Sequence, residues 1–287
     1  MKNMWQISMR KLLGILLLVL LPQFAHAGPW MRDTGAGYAE LSVGYFKSDG
    51  YFRASEETQL NYSSYSLKLY SEVGLPGPFQ AIVEFPFVLA TNTNDSDVAF
   101  RNNDFGDGKL SLEWSPWSDL TLVVGVDLTI PLYTPVAKQQ LVGEFSASQN
   151  FFPELGDGNY DLTTRVNYGL SIDFIPGWIS GSAGYRKRFG YYVDGVDLEL
   201  QMGVWLFPKK AYVSLYSNAL LNLTQDPEPN LLTSRETVSL EVQLGITADP
   251  FAENLHMVFK WGELLYTRYA APGYWLSLSV AYSWDAP

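Results

Sequence analysis

The segment Tyr274–Trp284 alternates apolar and polar side chains at a strict period of two. Leu276, Leu278, Val280 and Tyr282 share one parity, and serine or alanine residues occupy the positions between them. A period of two indicates a β-strand with two chemically different faces. The same alternation recurs along the chain, so we expect an all-β fold whose strands have one apolar face and one polar face.

Twelve segments have this strand character, and most have about 10 residues, the length that a tilted strand needs to cross the hydrocarbon layer. They are 37–47, 59–73, 79–91, 108–116, 120–131, 159–175, 178–189, 197–207, 211–224, 236–248, 255–267 and 274–284. Lipid leaves no water to satisfy a free strand edge, so the strands must close into a barrel. The sequence therefore predicts a transmembrane antiparallel up-and-down β-barrel of about 12 strands.

The connections between the predicted strands alternate between short and long. Each short connection contains a proline, which suits a tight turn; they are 74–78, 115–118, 175–177, 207–210 and 249–254. The long connections are 48–58, 92–107, 132–158, 190–196, 225–235 and 268–273. Bacterial barrels have short periplasmic turns and longer external loops. We therefore expect both ends of the barrel chain to lie on the periplasmic side.

The first residues have the pattern of an export signal. Basic residues precede an apolar run at 12–21, and Ala25 and Ala27 place small side chains where a signal peptidase needs them. We expect 1–27 to be a secretion signal peptide and 28–287 to be a single barrel domain. This pattern predicts export through the periplasm and localisation in the bacterial outer membrane.

Composition narrows the choice of environment and partner. The predicted signal peptide holds three of the 19 basic residues and none of the 30 acidic ones. The rest of the chain therefore has 16 basic and 30 acidic residues, a formal charge of −14. Such an acidic chain is not expected to bind nucleic acid, because phosphate binding needs a basic surface. The chain contains no cysteine, so no disulfide stabilises the exported domain. A secreted soluble β-sandwich stays open as an alternative.

Aromatic residues make up 15% of the chain, an excess that fits the rings of aromatic side chains at both membrane interfaces. Trp114, Trp117, Trp178 and Phe207 lie beside predicted short turns and are expected in the periplasmic girdle. Trp284 closes the last strand, near the position where barrel-assembly machinery usually reads a terminal aromatic residue. The expected partners are outer-membrane lipid, lipopolysaccharide, the assembly machinery and small-molecule solutes.

Two segments share a Gly-Asp-Gly motif, centred on Asp107 and on Asp157. Each follows a long loop at the point where the chain re-enters the predicted wall. Together with the proline turns and the barrel plan, the motifs resemble the outer-membrane transporter family labelled as meta-pathway phenol degradation proteins. The resemblance implies uptake of small organic, including aromatic, molecules, and it supplies no functional residue.

Read from the residues alone, both motifs are expected to be tight loop ends. Glycine there tolerates positive φ, and the aspartate bonds local backbone. A calcium loop needs an alternating string of Asp or Asn ligands closed by a glutamate. Neither motif supplies that string, so we expect no metal and no cofactor.

An enzymatic function would need a suitably placed histidine, and the sequence after the predicted signal peptide has one, His256. A barrel phospholipase needs a histidine with a nearby serine and a polar orienting group, but Met257 and Val258 follow His256. A barrel protease of the omptin type needs its histidine and aspartates at the outer rim. His256 follows the turn 249–254 and is expected at the periplasmic rim, so the chain is expected not to be an enzyme.

Charged residues also occur on the inward parity of the strands. The acids are Glu40, Glu72, Glu84, Glu113, Asp127, Asp161, Asp173, Glu199 and Glu241, and the bases are Lys68, Lys109, Arg165, Arg186, Arg188 and Lys260. One interpretation is a wet passage whose field favours cations or polar solutes. The other is a lumen that these groups brace or fill by pairing with one another.

The mid-wall charges are the candidate selectivity residues. They are Glu84, Glu113, Asp127, Arg165, Arg186, Glu199, Glu241 and Lys260. Loop 132–158, the longest at 27 residues, carries the apolar residues Leu141, Val142, Phe145, Phe151 and Phe152. Loops of this length are usually functional or mobile. These residues either form an apolar constriction in the mouth or cap the outer end against lipopolysaccharide.

The function predicted from the sequence is a channel or transporter for passive passage of small molecules. A structural or surface-interaction barrel with an occluded lumen is the first alternative. A hydrolase that uses carboxylates at the outer rim is the second.

Overall fold

The computed structural model describes residues 31–52, 59–94, 97–117, 121–134, 152–172, 174–190, 192–207, 210–224, 235–248, 254–268, 270 and 272–286. The expected signal peptide lies outside these ranges, as do Asp173 and the loop residues Leu141, Val142, Phe145 and Phe151. No helix in the described ranges is long and apolar enough to cross a membrane.

Thirteen strands occur within the described ranges. They are β1 (Gly37–Phe52), β2 (Gln59–Leu75), β3 (Phe79–Asn94), β4 (Ala99–Phe105), β5 (Asp107–Trp114), β6 (Leu122–Pro131), β7 (Asp161–Ile172), β8 (Gly177–Arg188), β9 (Gly195–Phe207), β10 (Ala211–Asn222), β11 (Glu236–Thr247), β12 (Leu255–Arg268) and β13 (Tyr274–Trp284). Each pairs antiparallel with its neighbours, and β1 pairs with β13, so the sheet closes into a barrel. The closure removes every sheet edge.

Strands β4 and β5 together form one wall-spanning strand, which gives the barrel twelve. Both pair with β3, at Phe87↔Phe105 and at Glu84↔Lys109. Glu84 and Phe87 are three residues apart on β3, whereas their partners Lys109 and Phe105 are four residues apart. The extra residue forms a β-bulge at Gly106. The Gly106 nitrogen donates a 2.8 Å hydrogen bond to the Pro86 carbonyl. The predicted antiparallel barrel of about 12 strands is confirmed.

Side-chain exposure follows the predicted parity. In β13, Leu278 and Val280 are 50% and 46% exposed on the outer face, while Ser279 and Ala281 are 0% and 1% exposed. Moving a valine or leucine side chain from water into an apolar environment is worth about 1.5–3 kcal/mol. An outer surface covered with such residues needs lipid around it, which excludes the soluble sandwich.

The hairpins at the outer end are longer than the sequence predicts. Segment 92–107 is expected as a loop, but β3 continues to Asn94 and β4 begins at Ala99. Likewise β1 continues to Phe52. Beyond the membrane both strand faces meet water, so apolar and polar residues no longer need to alternate, and the sequence signal disappears there.

The prediction of a place in the periplasmic girdle is wrong for Trp178. Trp114, Trp117 and Phe207 are exposed, as that prediction requires, but Trp178 is 8% exposed and faces the lumen. Trp178 has the inward parity of β8 and lies directly opposite Gly203 on β9. A Cβ atom at Gly203 would come within 2.2 Å of the Trp178 ring, so glycine is what permits this packing.

Candidate functional site

An ion-pair network crosses the inner wall between β5 and β7. The Arg165 guanidinium contacts the carboxylates of Asp127 at 2.6 Å and Glu113 at 2.9 Å. Lys109 adds a second cation to Asp127 at 3.2 Å. A Cβ atom at Gly125 would lie 3.1 Å from the Arg165 Nε atom, so the glycine gives the arginine room to pass β6. Neutral donors complete the network.

Glu113 is surrounded by hydrogen-bond donors. Besides Arg165, it accepts hydrogen bonds from Asn167 Nδ2 at 3.0 Å and Gln80 Nε2 at 3.3 Å. Buried carboxylates are stable only when they are paired or hydrogen-bonded in this way. The network therefore braces the middle of the barrel.

A second pair lies where β12 and β1 flank β13. Lys260 Nζ contacts Glu40 Oε1 at 2.9 Å. Glu40 also accepts hydrogen bonds from the hydroxyls of Tyr38 at 2.6 Å and Ser42 at 2.8 Å. Elsewhere on the inner wall, Glu84 has a longer contact of 3.6 Å with Lys68.

Glu199 and Glu241 differ from the other predicted selectivity residues. Among the residues that the structure describes, neither makes an ion pair. Glu241 accepts from the Trp275 indole at 2.5 Å and from Gln243 at 2.7 Å. Tyr216 directs its hydroxyl at Glu199. Uncharged donors are thus the direct partners of these two carboxylates.

Arg186 lies at the outer mouth rather than at mid-wall. Its Nε atom donates to Asp161 at 2.7 Å, and its Nη2 atom contacts Asp157 at 3.3 Å. Arg188 and Arg235 contact the same Asp157 carboxylate at 3.1 and 2.7 Å. The cluster joins the ends of β7 and β8 to the loop that precedes β7.

Residues 152–160, the described end of loop 132–158, enter the mouth of the barrel. Leu155 is 7% exposed and packs against the inward-facing Val88. Asn102 Nδ2 donates to the Pro153 carbonyl at 3.1 Å. The segment thus touches β3 and β4 before its Asp157 reaches the arginines of β8. It narrows the outer opening.

The two Gly-Asp-Gly motifs contact each other at this point. Asp107 accepts hydrogen bonds from the backbone nitrogens of Asp157 at 2.5 Å and Gly158 at 3.2 Å. Gly158 has a φ of 67°, which favours glycine. The expectation that each aspartate bonds its own local backbone is wrong for Asp107, because its partners lie 50 and 51 residues away.

The electrostatics favour an ionised Asp157. Burial alone would raise the pKa of its carboxyl, but the charges of Arg235, Arg186 and Arg188 outweigh burial and hold that pKa below its ordinary value of 3.8. Burial and the charge of Asp157 raise the pKa of the adjoining Tyr192 hydroxyl to about 12. At neutral pH the Asp157 carboxyl is therefore ionised and the Tyr192 hydroxyl is protonated.

The other end of the lumen is narrowed by the segment that precedes β1. The Arg32 nitrogen donates to Gln80 Oε1 at 2.8 Å, and its guanidinium contacts Glu72 at 2.9 Å. Gly35 then hydrogen-bonds to Gly74 at 2.9 Å. A Cβ atom at Gly74 would lie only 2.1 Å from a backbone oxygen of this segment, so glycine is needed there.

A cavity of about 400 Å³ lies in the middle of the barrel. Its charged lining comprises Arg32, Glu72, Glu84, Lys109, Glu113, Arg165 and Glu199. Serine, glutamine and tyrosine side chains line the rest. Such a lining suits a small polar solute rather than an apolar one.

Sequence reasoning missed three participants in this arrangement, which are Arg32, Asp157 and Arg235. Parity arguments apply only within strands, and all three lie outside them. The repeated Gly-Asp-Gly motif was the available signal for Asp157. His256 lies at the start of β12, where its ring nitrogen meets the Thr247 hydroxyl at 3.2 Å. No cluster of potential metal ligands occurs in the described part of the chain.

Comparison with known proteins identifies the fold and no family. No protein-family model and no curated protein match the chain. An outer membrane channel from Pseudomonas putida F1 superposes with a TM-score of 0.61 at 11% identity, covering 91% of this chain and 100% of that one. At this identity the superposition establishes that the chain has the fold of an outer-membrane β-barrel channel.

Two porins give weaker superpositions. The KdgM porin has a TM-score of 0.46 at 10% identity, covering 86% of this chain and 99% of that one. The NanC porin has a TM-score of 0.47 at 10% identity, covering 85% and 98%.

Proposed function

We propose that the protein is a channel of the bacterial outer membrane that lets small polar molecules pass without an energy source. The observation that carries this proposal is the polar, charged cavity of about 400 Å³ inside a closed wall. A barrel built only as a scaffold can fill its interior with interlocking side chains. The shared fold with the Pseudomonas channel supports the proposal.

A barrel with an occluded lumen is the second candidate, and two observations favour it. Residues 152–160 cross part of the outer mouth, and Arg32 lies across the inner end. Both are single segments rather than a packed domain. We therefore favour a narrow passage over a sealed one.

The eight predicted selectivity residues divide into two roles in this proposal. Six are ion-paired and act mainly to shape the passage; they are Glu84, Glu113, Asp127, Arg165, Arg186 and Lys260. Glu199 and Glu241 set a preference for cations, because a carboxylate without an ion-pair partner attracts mobile cations.

Reversal potentials in a planar bilayer test this division. Under a KCl gradient, we expect the wild-type channel to prefer K⁺ to Cl⁻ and the double variant Glu199→Gln, Glu241→Gln to lose most of that preference. Glu263→Gln is a matched control, since Glu263 is exposed on the outer face of β12. Unchanged ion preference in the double variant would contradict the role of these two residues.

The resemblance to the phenol-degradation transporters adds a finer proposal, that the solutes include small organic or aromatic molecules. The cavity itself is predominantly polar, with Tyr70, Tyr168 and Tyr216 as its aromatic residues. Liposome swelling with catechol and with glycerol as the solute compares the two classes. Equal swelling rates after correction for solute size would contradict a preference for aromatic solutes. They would not contradict the channel function.

Localisation and partners follow from the same reasoning. The apolar outer face implies lipid as its solvent, and Trp284 at the end of β13 offers an aromatic residue to the assembly machinery. Lipopolysaccharide is the expected outer-leaflet neighbour. Fractionation of cells into inner and outer membranes tests the location.

A further inference from the structure

The inner wall formed by β9, β10 and β11 carries acids without bases. Asp197, Glu199 and Glu241 face inward there, and the three strands contain no lysine or arginine. Amide and hydroxyl groups surround the acids, as in the 2.7 Å contact of Asn218 with Asp197. This wall therefore presents a negative surface to the lumen.

Glu199 is the acid of this wall that reaches the central cavity. Lys109 and Arg165 line the same cavity, and each is ion-paired with Asp127, at 3.2 and 2.6 Å. Within the described chain Glu199 has no ion-pair partner. The cavity thus has an open position for a cation beside Glu199.

A second, independent feature of the cavity is the Ser111 hydroxyl. Ser111 is 6% exposed and lines the cavity, and its oxygen has no hydrogen-bond partner among the described residues. A buried hydroxyl without a partner is unfavourable. A solute that offers a hydroxyl group would satisfy it.

We propose that this cavity is a binding subsite for a small protonated amine that carries hydroxyl groups, such as an amino sugar or an amino alcohol. The ammonium group binds Glu199, and a hydroxyl of the solute binds Ser111. The volume of about 400 Å³ lies within the usual range for small-molecule sites. The proposal deepens the channel function by naming the solute class.

Isothermal titration calorimetry with the purified, detergent-solubilised protein tests the subsite. Glucosamine at about pH 6 supplies the protonated amine, and glucose and gluconate are its neutral and anionic counterparts. We expect glucosamine to bind at least about tenfold more tightly than glucose, since a charge-assisted contact is stronger than a neutral one. Gluconate should bind more weakly than either. Equal affinities for glucosamine and glucose would overturn the proposal.

Two variants assign the contacts. Glu199→Gln should weaken glucosamine binding about tenfold or more and leave glucose unaffected, whereas the outward-facing Glu263→Gln should change neither. Ser111→Ala should weaken the binding of glucosamine. It should not change the binding of methylammonium, which has no hydroxyl. Full glucosamine affinity in folded Glu199→Gln protein would overturn the site.

Ion current in KCl separates this proposal from the channel itself. Current without amine-selective binding would support the channel and contradict the subsite. Selective binding without current would support the subsite and contradict the channel.

Discussion

The carboxylate of Asp107 accepts a 2.5 Å hydrogen bond from the backbone nitrogen of Asp157, which lies 50 residues further along the chain. The side chain of Asp157 in turn contacts Arg186, Arg188 and Arg235. Hydrogen bonds to a charged acceptor are shorter and stronger than neutral ones. The two Gly-Asp-Gly motifs therefore fasten the segment 152–160 inside the mouth, and this fastening controls how wide the passage is.

Removal of the Asp107 carboxylate should release the segment. In Asp107→Ala the amides of Asp157 and Gly158 lose their acceptor, so we expect faster hydrogen exchange there. Asp104→Ala is the matched control, because Asp104 is exposed and bonds only its neighbour Phe105. Mass spectrometry of exchanged peptides gives the rates. Equal exchange at 157 and 158 in both variants would contradict the proposed fastening.

The pH dependence of the opening follows from the lowered pKa of Asp157. A carboxyl whose pKa is lower in the folded protein stabilises it above the unfolded value of about 3.9, and this contribution is lost as the pH falls through the folded pKa. We therefore expect protonation of Asp157 to raise the conductance only below about pH 4.

Arg188→Gln removes one of the cations that lower this pKa, so the rise should begin at a higher pH. Conductance titrated in a planar bilayer provides the measurement. An onset of this rise at the same pH in Arg188→Gln and in the wild-type protein would contradict the role of Asp157.

The central ion-pair network should dominate the effect of charge removal on stability. Arg165→Met leaves the buried Glu113 without its cation and Asp127 with Lys109 alone, which costs about 3–5 kcal/mol. Lys68→Met removes a half-exposed partner of Glu84 and should cost about 1 kcal/mol or less. Urea unfolding in lipid vesicles measures both. Similar losses in the two variants would argue against the network as the brace of the barrel.

The contact of Trp178 with Gly203 gives a packing test. Gly203→Ala places a Cβ atom 2.2 Å from the ring, and overpacking of this kind costs about 1–3 kcal/mol. The smaller side chain of Trp178→Leu relieves the clash, so the cost of Gly203→Ala should fall in that background. If the two substitutions are additive in urea unfolding, the ring does not lie on the glycine.

The membrane-spanning wall was predictable from the sequence, because lipid and water impose opposite demands on its two faces. The alternation of Leu278 with Ser279 is one consequence of those demands. The outer hairpin of β3 and β4 was not predictable in this way, since water surrounds both of its faces. The inward turn of Leu155 depends on contacts with Val88, which is distant in sequence.

Parity also predicted which charges face inward, but not how they pair. Arg165 on β7 reaches past β6 to Glu113 on β5, a contact that depends on the missing side chain of Gly125. Glu199 and Glu113 look alike in sequence, with each on the inward parity of its strand. The structure separates them, because Glu113 has a guanidinium partner and Glu199 has none among the described residues.

Ion current through the purified protein in a planar bilayer tests the central claim, that the lumen is a passage narrowed by segment 152–160. We expect a small, steady current in KCl from the wild-type protein and a larger one from Asp107→Ala, with Asp104→Ala matching the wild type. Absence of current from correctly folded wild-type and Asp107→Ala protein alike would contradict the account and favour a sealed barrel.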